Sequence, residues 1–223
     1  MGRCVVIGVG LDIAVARLAL INTAVNEGDV VILVGFSVDA LSALGRFVRG
    51  VYRDLNVKVE QIPLNPRAGF IDAVVGLRTL IEDHAPCNVV IGITGDRWLT
   101  TVLGFLAMAL AAVGGFTNIS VDRVFVMSGD KGEPIDWPTV PKLINVNLVE
   151  YRVLRLICTG YYLAKDITKG YVSKFNESIS LQAIERVLAR LRARGLVNSK
   201  PIGKAYSYEV TELGRLIACK RQY

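Results

Sequence analysis

Residues 4–12 have the sequence CVVIGVGLD, the first of five short, β-branched apolar runs. Helix-like segments separate these runs, and such alternation predicts a parallel sheet with helices on both faces. The predicted strands are Cys4–Val9, Val30–Gly35, Val57–Ile62, Val89–Ile93 and Val124–Met127. The predicted helices are Asp12–Asn26, Val38–Asp54, Gly69–Asp83 and Leu99–Val113. The sequence therefore predicts an α/β fold, with a Rossmann-like sheet domain spanning residues 1–147.

The end of this domain contains a turn signal. The turn at Ser128–Gly132 predicts a hairpin after the fifth strand, with a return strand near Leu143–Val146.

A ligand crevice is expected where strands 1 and 4 end. In the doubly wound order 3-2-1-4-5 these strands are neighbours, and their connections leave in opposite directions. The loops Gly8–Asp12 and Thr94–Trp98 would meet there, and each enters a helix N-terminus, which favours anions. Arg97 adds positive charge and Trp98 a stacking face. The predicted ligand-binding residues are Gly8, Gly10, Leu11, Asp12, Phe36, Ser37, Thr94, Gly95, Asp96, Arg97 and Trp98.

Two other interpretations of these loops remain open. The first loop matches the start of a dinucleotide fingerprint, Gly8-x-Gly10-x-x-Ile13, but the third glycine is missing and no acidic residue ends strand 2. Nicotinamide or flavin binding is therefore an alternative. The other is that both loops are tight turns without a ligand, with Arg97 paired to Asp96 or Asp12.

Charge divides the chain unevenly. Residues 1–147 contain 12 Lys/Arg and 14 Asp/Glu, whereas residues 148–223 contain 14 and 6. A net charge of −2 is thus followed by one of +8. A basic carboxyl-terminal third indicates contact with a polyanion, and a second domain is predicted over residues 148–223.

The pattern of this second domain predicts a winged helix-turn-helix. Helices are expected at Leu148–Thr159, Leu163–Lys174 and, after an N-cap at Ser180, up to Arg194. The strands Leu196–Ser199 and Ala205–Val210 enclose a basic turn, and Thr211 caps a last helix, Glu212–Arg221. Small residues among arginines allow the third helix to enter a major groove of double-stranded DNA. The predicted DNA-binding residues are Ser180, Gln182, Ala183, Arg186, Arg190, Lys200 and Lys204. A winged helix that serves only protein contacts is the alternative.

Composition excludes several other classes of protein. His84 is the single histidine, which disfavours zinc sites and histidine-based catalytic pairs. The four cysteines, Cys4, Cys87, Cys158 and Cys219, have no metal-type spacing, and without a signal peptide they are expected to be reduced, buried thiols in the cytoplasm. The apolar segment Leu99–Phe116 approaches the length of a membrane span, but its glycines favour a buried helix, so no membrane partner is expected.

Taken with these motifs, the whole chain resembles the archaeal CRISPR-associated transcription regulators that join a CARF domain to a winged helix. The residues that carry the resemblance are Gly8–Asp12, residues 93–97 (ITGDR) and residues 191–197 (LRARGLV) followed by the wing. The resemblance implies a homodimer with a cyclic oligoadenylate, usually the tetra-adenylate, bound across its axis. The strand-4 loop departs from the family pattern Asp-x-Thr-Gly-Gly at Gly92 and Asp96, and the added acid predicts weaker ligand binding or none.

The expected function is a dimeric, ligand-responsive transcription regulator, not an enzyme, with no bound cofactor or metal and with cyclic tetra-adenylate as candidate effector. One alternative is a ring nuclease that cleaves cyclic oligoadenylate, although neither crevice loop contains histidine or lysine. The other is a dinucleotide-binding, redox-sensing repressor. The helix Leu99–Val113 is the predicted subunit contact, because its small residues Gly104, Ala107 and Ala111 allow close approach of a second chain.

Overall fold

A computed structural model describes residues 2–128, 131–134, 146–203 and 205–220. The chain divides into two compact units, Met1–Ile144 and Asn145–Tyr223. The sequence placed the domain boundary between residues 147 and 148.

The first unit is built on a six-stranded sheet. Its strands are β1 (Gly2–Val9), β2 (Val30–Gly35), β3 (Lys58–Pro63), β4 (Cys87–Ile93), β5 (Ile119–Ser128) and β6 (Lys131–Pro134). They lie in the order β3-β2-β1-β4-β5-β6, and all neighbours are parallel except β5 and β6. The apolar runs of β1, β2 and β4 are buried because helices cover the sheet. The predicted α/β class and the order of the first five strands are confirmed.

Four helices flank this sheet. They are α1 (Ile13–Thr23), α2 (Val38–Val51), α3 (Phe70–Glu82) and α4 (Arg97–Thr117), with short 3₁₀ turns at Arg53–Leu55 and Pro66–Ala68. Helix α1 packs against α2, and α3 packs against α4. One apolar core cluster joins buried residues of β1, β2, α1 and α2 with Val90 and Phe125.

Helix α4 is the apolar segment that resembled a membrane span. Among the described residues it is the one helix long and apolar enough to cross a membrane, with a mean hydropathy of 2.0 over its most apolar window. Half of that window is buried inside the protein, and α4 packs on β5 and α3. Length and apolar composition of this one helix are therefore weak evidence for a membrane span.

The hairpin after β5 forms earlier than the sequence suggested. Strand β6 begins at Lys131 and pairs antiparallel with β5, with Ser128 opposite Lys131. The expected return strand near Leu143–Val146 lies outside the described residues except for Val146, which is not in a strand. Because β6 is short and polar, hydrophobic periodicity gave no signal for it.

The second unit contains four helices and a hairpin within its described residues. These are α5 (Leu148–Cys158), α6 (Ala164–Phe175), α7 (Leu181–Ala193), β7 (Val197–Ile202), β8 (Ala205–Val210) and α8 (Glu212–Ala218). The expected basic turn is mostly strand, since β7 continues to Ile202 and only Gly203, at φ +61°, departs from extended backbone before residue 204. Helix α8 ends at Ala218 instead of Arg221, because Cys219 adopts an extended conformation.

The cysteine prediction is wrong for one pair. Cys158 and Cys219 form a disulfide across 61 positions of sequence, joining the last residue of α5 to the residue that ends α8. The spacing of these cysteines in the sequence did not indicate a disulfide, because they are brought together by the packing of α5 against α8. Cys4 and Cys87 are free and buried, as expected. Hydrogen bonding with Cys87 and burial raise the pKa of the Cys4 thiol far above its ordinary value.

Candidate functional sites: a crevice in the sheet unit and a basic helix face

The loops after β1 and β4 touch at the carboxyl edge of the sheet. A Cβ at Gly8 would overlap the carbonyl oxygen of Thr94, and one at Gly10 would lie 2.9 Å from Cα of Gly95. Gly95 itself has φ +110°, a conformation that side chains disfavour. The backbones of the two loops are therefore in direct contact, as expected for loops that follow neighbouring strands.

Carboxylates cap both helices that begin at this edge. Asp12 accepts a hydrogen bond from the backbone N–H of Ala14 at 2.9 Å, and Asp96 accepts one from Leu99 at the same distance. Each carboxylate thus occupies a backbone N–H donor at a helix N-terminus where a ligand anion was predicted to bind. The negative charge that a helix N-terminus favours is thus supplied at both helices by an aspartate of the protein.

A cavity of about 350 Å³ lies between the loops. Its lining residues are Gly10, Leu11, Asp12, Val15, Thr94, Gly95, Asp96 and Met127. Six of them were predicted from the sequence. Val15 and Met127 were missed, although Val15 lies one helical turn beyond Asp12 and Met127 lies near the carboxyl end of the strand beside β4. Leu11 is 95% exposed, an unusual position for a large apolar side chain.

Five predicted ligand residues lie outside this lining. Gly8 makes the close contact with Thr94 already described, and Ser37 caps α2 by accepting from the N–H of Ala40 at 3.2 Å. The rings of Phe36 and Trp98 pack on each other with centroids 5.3 Å apart. Part of the aromatic surface expected to stack on a ligand is therefore occupied by this contact.

Arg97 is the fifth of these residues. Its side chain is exposed, and within the described part of the chain it forms no ion pair with Asp96 or Asp12. Its backbone carbonyl accepts hydrogen bonds from the hydroxyls of Thr100 and Thr101. The guanidinium is thus an exposed cation beside the crevice.

A second candidate site is the solvent face of α7. Ser180 caps the helix by accepting from the N–H of Ala183 at 3.2 Å, as predicted. The inward face buries Ile184, Val187, Leu188 and Leu191. The opposite face exposes Gln182, Arg186, Ala189, Arg190 and Ala193. Small and basic residues therefore alternate on one open surface.

The cations of α7 differ in their partners. Arg186 forms no ion pair among the described residues, and it borders a groove of about 500 Å³ shared with Ala183 and the start of α5. Arg190 and Arg194 both contact Glu150 of α5. Glu150 was not among the residues predicted from the sequence. Its spacing from Asn147 is that of a capping box, which signals a helix start but not a contact with α7.

The hairpin carries less free charge than expected. The Nζ of Lys200 lies 3.1 Å from Oε2 of Glu209 on the paired strand, and both side chains are well exposed. Lys204 lies outside the described residues. Ile202 and Tyr206 are exposed near the hairpin end. Partial burial raises the pKa of Tyr208 on β8.

Comparison with protein-family models finds no match to this chain, and comparison with curated proteins finds none either.

Proposed function

We propose that the chain is a dimeric, ligand-responsive transcription regulator that acts on double-stranded DNA in the cytoplasm, and that residues 148–223 form a winged helix-turn-helix. The observation that carries the proposal is the open face of α7, where Gln182 and Arg186 stand among alanines. Two helices precede α7 and a hairpin follows it, the order in which winged helices present a recognition helix. The +8 net charge of this region attracts phosphates.

The effector we propose is a cyclic oligoadenylate, with the tetra-adenylate as first candidate and CRISPR-associated genes as the regulated targets. Support comes from the resemblance of the loop and wing motifs and from the crevice between Gly10 and Thr94. In a two-fold dimer, two exposed Arg97 side chains would face a ring of phosphates with the same symmetry. The crevice itself, with Asp12 and Asp96, suits the neutral sugar and base.

Helix α4 is the proposed subunit contact, with one correction to the residues. Ala107 is fully buried inside the first unit and is unavailable to a second chain. The outward stripe of α4 contains Thr101, Gly104, Met108, Ala111 and Gly115. A Cβ at Gly104 or Gly115 would meet nothing within 4 Å, so packing inside the chain does not require glycine at either position.

DNA recognition is tested by substituting Arg186. Selection from a pool of random duplexes yields a preferred sequence, and a scrambled duplex of equal length serves as reference. Arg186→Ala should reduce the preference for the selected duplex by about 1–3 kcal/mol, the value of one bidentate base contact. Arg49→Ala, an exposed arginine on α2, is the matched control and should leave the preference unchanged. Equal preference in parent and Arg186→Ala would refute the assignment of α7 as the recognition helix.

Effector binding is tested by calorimetry with cyclic tetra-adenylate and cyclic hexa-adenylate. The parent should release or absorb heat with one of them, and Arg97→Ala should lose most of the affinity while its DNA binding stays close to that of the parent. Ligand should change DNA affinity by a coupling of about 1–3 kcal/mol. Absence of heat from either compound, in a preparation that binds DNA, would leave the DNA-binding function in place and remove the proposed effector.

A further inference from the structure

Glu150 is a carboxylate buried beside the basic face of α7. Its side chain is 5% exposed, and it contacts Arg190 and Arg194 of α7. These arginines lie 40 and 44 positions further along the chain. Oε1 accepts from Nε of Arg190 at 3.3 Å, and Oε2 accepts from Nη1 of Arg194 at 3.0 Å. Burial of a carboxylate is costly unless ion pairs and hydrogen bonds compensate its charge, and the two arginines supply such ion pairs here.

The carboxylate is also fixed from its own helix. Asn147 accepts a hydrogen bond from the N–H of Glu150 at 2.9 Å, and Oε2 of Glu150 accepts from the N–H of Asn147 at 3.1 Å. This reciprocal pair forms the N-terminal cap of α5. Glu150 is therefore a rigid anchor, and the arginines must orient themselves toward it.

Arg190 pairs with Glu150 through only one of its three guanidinium nitrogens. Its contact with Glu150 uses Nε, and within the described residues its two terminal nitrogens make no hydrogen bond. The side chain remains 54% exposed. Pairing through Nε restricts the orientation of the guanidinium and leaves its two terminal amino groups available, and such a planar fork suits two-point binding of phosphate or of guanine.

Glu150 also changes the charge of this surface. Arg190, Arg194 and Glu150 together carry one net positive charge where the two arginines alone would carry two. Each uncompensated cation adds affinity for any duplex, whatever its sequence. The carboxylate thus reduces non-specific attraction at the position where it fixes an arginine.

We propose that Glu150 is a positioning residue that sets the sequence discrimination of the α7 face. It orients the terminal nitrogens of Arg190 toward DNA and offsets one positive charge, so that the chain gains preference for its own site and loses affinity for other sequences. This inference rests on the proposed DNA binding.

The test is Glu150→Gln, which keeps the length of the side chain and one acceptor for the α5 cap. Binding of the selected and scrambled duplexes is measured over a series of salt concentrations. The salt slope for the scrambled duplex should steepen by about 0.9, the value of one additional phosphate contact. The affinity ratio between the selected and scrambled duplexes should fall roughly fivefold or more, as for loss of one oriented base contact.

Glu185→Gln is the matched control, because it removes the same charge from an exposed position of α7. It should leave the affinity ratio unchanged, which separates orientation from charge. The proposal is overturned if Glu150→Gln keeps the ratio of the parent, or if Glu185→Gln loses it equally.

Arg190→Lys provides a second route if Glu150→Gln does not fold, because it keeps the charge and removes the planar fork. It should lower the affinity ratio with little change in salt slope, and an unchanged ratio would overturn the proposal. A parent chain that binds no duplex at low salt would refute the proposed function and this inference together. A parent that binds with discrimination, next to variants that discriminate equally well, would refute only the role of Glu150.

Discussion

Single residues decide whether the crevice can exist. Gly8 allows the backbone of the β1 loop to contact Thr94, and the same loop then directs Asp12 to the start of α1. The cavity lies between these loops, and each loop contributes a lining side chain, Leu11 from one and Asp96 from the other.

Gly8→Ala is expected to destabilise the first unit. Its Cβ would overlap a carbonyl oxygen and come within 2.9 Å of Cδ1 of Leu103, so the backbone must move. Overpacking of this kind costs about 1–3 kcal/mol of unfolding free energy, measurable by chemical denaturation. Gly50→Ala, where a Cβ meets nothing within 4 Å, is the control and should leave stability equal or slightly higher. A stable Gly8→Ala protein would show that the loops separate without cost.

Helices and strands were the best predicted level of organisation. Continuous apolar runs identified all five parallel strands, and polar turns placed the helices within a few residues, because burial on two faces leaves a clear pattern. The meeting of the two crevice loops could be predicted from the strand order, because β1 and β4 are neighbours. Contacts between elements were not predictable: the pairing of Arg190 with Glu150 spans 40 positions, and no local rule connects them. The hairpin strand β6 was likewise invisible because its residues are polar.

The proposed subunit contact lies on one face of α4. Gly104→Met would place a long side chain on the outward stripe of α4, where close approach of a second chain needs a small residue. We expect the variant to be monomeric by light scattering at concentrations where the parent is a dimer. Gly50→Met on α2 adds the same side chain at an equally open position and should remain dimeric. Dimerisation of Gly104→Met as strong as that of the parent would move the contact away from α4.

At the scale of the whole molecule, the two units are stabilised differently. The first has a large apolar core around its sheet, with two free buried thiols. The second is small and basic, and its disulfide joins the end of the first helix to the end of the last. Small domains bury a lower fraction of their surface, so a crosslink contributes more of their total stability.

Reduction is therefore expected to destabilise the second unit selectively. Loss of a crosslink spanning 61 positions costs about 4 kcal/mol in the chain-entropy model. Calorimetry with and without dithiothreitol should show a lower unfolding temperature for one transition of the parent. Cys158→Ser should already have that lower temperature and should not respond to the reductant. A parent whose transitions are all insensitive to dithiothreitol would contradict this role of the crosslink.

The same bond makes the region between Cys158 and Cys219 a covalent ring. A protease that cuts one peptide bond inside the ring, for example near Gly203 in the hairpin, leaves both fragments on a single molecule. Such a nicked chain would migrate as intact protein on a non-reducing gel and as two pieces after reduction. While the disulfide is intact, the cut chain stays in one piece, so the proposed DNA binding should survive the cut and be lost when dithiothreitol is added.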